Sequence, residues 1–177
     1  IQDGGQWDMF VNLIEKYGVL PQSVMPESFQ SSQSMMMNRL LTRKLREFAW
    51  VLRKLNKKGK NSTDLRKEKE SMLKTIYSML CVCLGNPPEI FDWQVRDKNK
   101  KFVRITGVNS IDFYKKHTSI NLRDKVCLIH APMSNKKMNE LYTVSYLGNV
   151  IGGEIIKYAN VNIEDIKRAA IKSIKNN

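Results

Sequence analysis

Gly4 and Gly5 stand side by side directly before an amphipathic stretch that closes on Tyr17-Gly18, and no other local feature constrains the chain as strongly. Two consecutive glycines let the backbone approach another chain closely and reach φ/ψ values closed to other residues. The apolar residues that follow, Trp7, Phe10, Ile14 and Tyr17, with Met9 and Leu13 beside them, recur at helical spacing. That spacing predicts a helix with one face to bury. Gly18 is its expected C-terminal stop. At this point the glycine pair has two readings: a tight turn into the helix, or a bare stretch of main chain that another backbone can meet.

Beyond Gly18, Pro21 and Pro26 predict an extended crossing over residues 19–29 rather than a helix. Residues 30–33 are polar and read as a junction. From about Ser34 to Lys58 a long amphipathic helix is expected, with Met37, Leu41, Leu45, Phe48, Leu52 and Leu55 on one stripe and Leu40 and Ala49 widening it. Its other face carries Arg39, Arg43, Lys44, Arg46, Arg53 and Lys54. Gly59 breaks this helix, Asn61-Ser62-Thr63-Asp64 can cap the next, and Gly85 with Asn86-Pro87-Pro88 ends it. The buried side of that second helix should hold Leu65, Met72, Ile76, Leu80 and Cys83.

The remainder is mixed. Alternation around Phe91, Trp93 and Val95, then a turn at residues 97–100 and a second strand over 102–105, predicts a β-hairpin. Ser110 is the expected cap of a short helix reaching His117. Further strands are expected over 125–130 and 141–147. A last helix begins near Ile163 with Asn162 as cap, with Glu164 and Asp165 in its first turn and Lys172 and Lys175 in its last, as the helix dipole favours. Its apolar face should be Ile163, Ile166, Ala170 and Ile174.

Catalytic chemistry within these residues has little to work with. A cysteine nucleophile needs an activating base, and only His117 and His130 are available. Cys81 and Cys83, two apart on a helix, point in different directions. Cys127 and His130, at i and i+3 on a strand, fall on opposite faces. No metal-ligand set is recognisable, because one Cys-x-Cys and two distant histidines fall short of four ligands. The expectation is therefore no catalytic residue, no metal and no cofactor, with the three thiols structural.

Taken in order, residues 3–29, 37–50, 78–99, 113–117, 141–153 and 163–175 resemble successive pieces of the papain-like cysteine peptidases, specifically the bleomycin hydrolase branch of cysteine aminopeptidases. The motif that carries the resemblance best is DGGQWDMFVNLIEKYGV, with the segment LPQSVMPESF behind it. The resemblance implies an α+β, predominantly helical chain. It would be a partial papain-like fold with an inserted helical hairpin and short antiparallel strands.

It also implies a division. Residues 1–29 would be part of the left lobe, 30–88 the inserted basic hairpin, 89–160 a hairpin and mixed strand and loop segment, and 161–177 a helix leading to the right lobe. By the same resemblance Gly5 presents its backbone N–H and C=O to an extended peptide, a strand-like recognition. Gly4 shapes the turn, Gln6 and Trp7 lie near the pocket for a substrate side chain, and for Trp7 the other reading is that it simply covers the helix it begins. The nucleophilic Cys lies upstream of this region in the family, and the His and Asn lie downstream. The chain thus reads as an internal segment of such an enzyme, inactive alone. Its parent would be a cytoplasmic hexamer acting on peptides.

A different class of function follows from charge. Thirty basic residues against seventeen acidic ones give +13, and residues 42–60 hold eight basic residues and one acid. A self-contained basic module binding nucleic acid through the helical hairpin is the rival reading. Its mark would be basic residues gathered on one face of a compact domain with no raw apolar flank. A membrane role is not expected, since no apolar run is long enough to span a bilayer. Three cysteines, an odd and sparse count, suit a reducing compartment such as the cytoplasm.

Overall fold

The structure, a computed structural model, describes residues 5–118 and 121–175. The chain divides into two compact units: one runs from Leu20 to Gly107, and the other joins the first helix to the stretch from Val108 onward.

In the first unit, α2 (Phe29–Ser32) leads into α3 (Met35–Lys57), and α4 (Ser62–Leu84) packs back against both. Leu41 and Met72 are buried at this contact with Met37, so the apolar stripe expected on α3 does face its neighbour. Asn61 caps α4 by accepting a hydrogen bond from the Asp64 N–H at 2.9 Å, and Gly85 ends the helix at φ 86°. Two local expectations change here. The Pro21 carbonyl accepts from the amides of Val24 and Met25, which turns the segment expected to be extended. Ser28 accepts from the Ser31 N–H, so the polar junction at 30–33 is one short helical turn instead. The hairpin of β1 (Phe91–Arg96) and β2 (Phe102–Val108) closes on Asp97, whose Oδ1 accepts from the amides of Asn99 and Lys101, both at 2.8 Å.

The second unit holds α1 (Trp7–Tyr17), α5 (Ser110–His117), a three-stranded sheet and α6 (Ile163–Lys175). The cap of α5 is Asn109, not Ser110: its side chain accepts from Asp112 N at 2.8 Å. Ser110 instead donates its hydroxyl to the Tyr17 carbonyl. In the sheet, β5 (Tyr158–Asn160) lies between β3 (Cys127–Ile129), with which it pairs in parallel, and β4 (Glu140–Tyr142), with which it pairs antiparallel. β5 has no signal in the sequence beyond Tyr158-Ala159. The strand expected over 141–147 stops at Tyr142, because Leu147 N donates to Val144 O in a turn and Tyr146 adopts φ 62°. Val11, Val108, Phe113, Leu122 and Ile156 form this unit's core, with Asn12 and Asn160 buried among them. On α6 no residue is buried, and Ile163 and Ile174 of its expected apolar face are exposed.

Candidate functional site

Gly5 leads into α1 through Gln6. Gly4 lies outside the described residues; Gly5 and Gln6 are exposed. Gln6 occupies the N-cap position in extended conformation, with no side-chain cap, and its carbonyl accepts the first helical bond from Phe10 N at 3.2 Å. The first amides of α1 are thus left without a capping side chain, next to a residue with no side chain.

Three glycines of this unit show why Gly5 differs. A Cβ on Gly18, at φ 73°, would fall 2.1 Å from the Ser110 carbonyl carbon, so the fold itself requires glycine there. A Cβ on Gly153 would come within 2.9 Å of the Asn12 side chain. On Gly5 it would meet, among the described residues, only the flexible Met9 side chain, at 3.6 Å from Sδ. Nothing in the packing of the described residues obliges this one to be glycine.

Trp7 is half-buried, its ring tilted against Phe10 at 5.6 Å between centroids, and its Nε1–H is buried with no partner among the described residues. The face that α1 buries is not the expected one. Val11 and Asn12 are buried, whereas Phe10, Leu13 and Tyr17 are exposed. The reason is polar: the helix is held by a strap, residues 149–157, that wants hydrogen bonds from it. Asn12 Nδ2 donates to Glu154 O at 2.9 Å and Asn12 Oδ1 accepts from Glu154 N at 3.0 Å. Asp8 Oδ2 accepts from Lys157 N at 2.6 Å, Lys16 Nζ donates to Ile151 O, and Asn149 Nδ2 donates to Met9 O. Arg123 adds a two-pronged pair with Glu15, which raises the guanidinium pKa, and reaches Asn12 Oδ1 at 3.3 Å. Sequence reasoning missed Asn12, although a lone asparagine between Val11 and Leu13 was a visible signal.

The thiols and histidines are not brought together. His130 follows β3 and its Nδ1 donates to Val161 O at 2.9 Å. Cys81 faces Asn86 Oδ1, which also accepts from the Tyr77 hydroxyl at 3.0 Å; contact with Cys81 raises the Tyr77 pKa. Among the described residues no group of three His, Cys, Asp or Glu is placed to hold a metal ion. No described helix is long and apolar enough to cross a membrane. The basic residues of α3 line its exposed side, with Arg39, Arg43 and Arg46 in one row.

Comparison with known proteins places this geometry. The Peptidase C1-like family matches residues 1–177. The chain is 42% identical over 175 residues to bleomycin hydrolase of Homo sapiens, an alignment covering 98% of this chain and 38% of that protein. It is 45% identical over 174 residues to aminopeptidase C of Listeria innocua, covering 98% and 39%. The crystal structure of PepW from Lactobacillus rhamnosis HN001 superposes with a TM-score of 0.92 at 44% identity, over 99% of this chain and 40% of that one. The chain therefore spans about two fifths of the length of the relatives it matches. With a glycine pair ahead of α1 in the sequence, a basic helical hairpin and a small mixed sheet, this chain belongs to the Peptidase C1-like family, in the branch of the bleomycin hydrolases and aminopeptidases C.

Proposed function

We propose that this chain is the peptide-holding part of a cytosolic cysteine aminopeptidase, which removes N-terminal residues by thiolate attack on the peptide carbonyl with a His acid/base and an orienting Asn. Those three groups come from outside these residues. Gly5 offers its main-chain N–H and C=O to an extended substrate, Gly4 shapes the turn, and Gln6 and Trp7 border the pocket for a substrate side chain. The α3–α4 hairpin is an insertion relative to smaller papain-like enzymes and serves subunit contacts in a hexamer.

The observation that carries this reading is the freedom of Gly5. It is exposed, and among the described residues an added side chain would touch only Met9, which leaves room for something that comes close from outside. The names of the relatives, bleomycin hydrolase and aminopeptidase C, support the same chemistry. Exposed apolar residues such as Ile151 and Val82, at 94% and 87%, are unlike the clean flank expected of a self-contained basic module.

Two measurements test it. The purified 177-residue chain should release no dye from an aminoacyl reporter; release that a thiol alkylator abolishes would overturn the assignment of the catalytic groups. In the polypeptide that carries the Cys, His and Asn, Gly5→Val should lower kcat/KM about tenfold or more, or ~1.4 kcal/mol, at unchanged melting temperature. Equal kcat/KM for both proteins would remove the ledge from the mechanism.

A further inference from the structure

The first turn of α1 is not held by its own end. Gln6, at the N-cap, offers no side chain to the leading amides. Among the described residues no backbone hydrogen bond engages the Gly5 N–H or C=O, and Trp7 Nε1 finds no partner. Helix ends fray when nothing fixes them. The direction in which Gly5 points is therefore set by whatever grips the first turn from the side.

That grip comes from Asp8. It stands in the first turn, three residues after Gly5, and its Oδ2 accepts from Lys157 N at 2.6 Å. A carboxylate on a backbone amide makes a charge-assisted bond, and its charge suits the positive end of the helix dipole. The other side of the bond is firm. Ile156, directly before Lys157, is 1% exposed, and β5, the middle strand of the sheet, begins directly after it. Asp8 thus ties the first turn to the sheet. Asn149 Nδ2 also reaches this turn, at Met9 O, but at 3.3 Å and from a bend. The other strap bonds lie deeper in the helix. Lys16, which donates to Ile151 O, is eight residues beyond Asp8, or about 12 Å of helix rise.

We propose that Asp8 is a positioning residue of the aminopeptidase: by holding Lys157 N it aims the Gly5 N–H and C=O at the substrate backbone. The inference rests on the reading of Gly5 as the ledge that meets an extended peptide. Pairing of main chain with main chain needs both groups aligned at once, and a displacement of about 1 Å can cost ~100-fold in rate. Loss of the Asp8 carboxylate leaves Lys157 N in an exposed place, where water takes over the bond. The fold then keeps its stability while the first turn loses its tether.

The test is a double-mutant cycle in the polypeptide that carries the Cys, His and Asn, read as kcat/KM for removal of the first residue of an unstructured peptide. Active sites are counted by thiol titration, so that unfolded molecules drop out. Asp8→Ala should lower kcat/KM about fivefold or more, against about tenfold or more for Gly5→Val. On the Gly5→Val background Asp8→Ala should change it less than about twofold, because the ledge it aims is already blocked. Asp8→Asn, which keeps an acceptor for Lys157 N, should stay within about twofold of wild type. Lys16→Ala, which loosens only the far end of the helix, should do the same.

Unchanged kcat/KM in Gly5→Val would remove the ledge, and this inference with it. A loss in Gly5→Val with none in Asp8→Ala would strike the positioning role alone. A loss from Asp8→Ala that repeats in full on the Gly5→Val background would show an action independent of Gly5 and overturn the proposal. So would an equal loss in Asp8→Asn, which would assign the effect to charge, or in Lys16→Ala, which would assign it to the seating of the whole helix.

Discussion

Gly18 and Gly5 sit at opposite ends of one helix and make opposite predictions. Gly18→Ala forces a Cβ onto the Ser110 carbonyl and strains φ at 73°, so it should destabilise the fold by ~1–3 kcal/mol in thermal melts. Gly5→Ala should leave the melting temperature within error, since its Cβ makes only ordinary contact with Met9. Asn12 carries a third prediction. Asn12→Ala would leave both the N–H and the C=O of Glu154 without partners in a part-buried place, and should lower stability by roughly 2–4 kcal/mol in denaturant titrations. Asn12→Asp keeps the acceptor and faces Arg123, but loses the donor to the Glu154 carbonyl, so it should fall between alanine and wild type.

At the scale of elements, the β1–β2 hairpin should report on pH. Asp92 Oδ1 accepts from Gly107 N at 2.9 Å, and Arg104 lies 3.4 Å from Oδ2, so the carboxyl pKa is held below its usual 3.8. A depressed folded pKa stabilises above the unfolded value. That contribution is complete above pH 3.8 and is lost as pH falls through the lower folded value. The Gly107 amide resonance should therefore titrate with a midpoint below 3.8, and Asp92→Asn should abolish the step.

The elements also show what periodicity can and cannot reveal. α1, α3, α4 and the hairpin were readable because each has a long apolar repeat bounded by Gly, Pro or Asn. β5 was not, because three residues are too short for a period and its place is set by two partners far away in the chain. The face of α1 was misjudged for a related reason. Its buried register is decided by hydrogen bonds from Asp8 and Asn12 to residues 154 and 157, and hydrophobicity alone cannot see them. At the candidate site, the glycine pair was visible from residue type and order. The strap that seats the helix behind it was not.

For the molecule as a whole, the tip joining α3 to α4 is open backbone lined with trypsin sites. Gly59 has nothing within 4 Å of where a Cβ would stand, and Lys57, Lys58 and Lys60 around it are exposed. Limited trypsin digestion should cut there before it cuts the strap at Lys157, whose amide is engaged by Asp8. First cleavage at Lys157 would show that the strap opens more readily than its hydrogen bonds imply. The same strap has a bearing on how the protein is made. Asn12 and the backbone it secures are 142 positions apart, so α1 leaves the ribosome with an apolar side and an unanswered amide long before its clasp is translated. That helix is seated long after it emerges, and a nascent chain stalled short of Glu154 would present it to whatever chaperones stand at the exit tunnel.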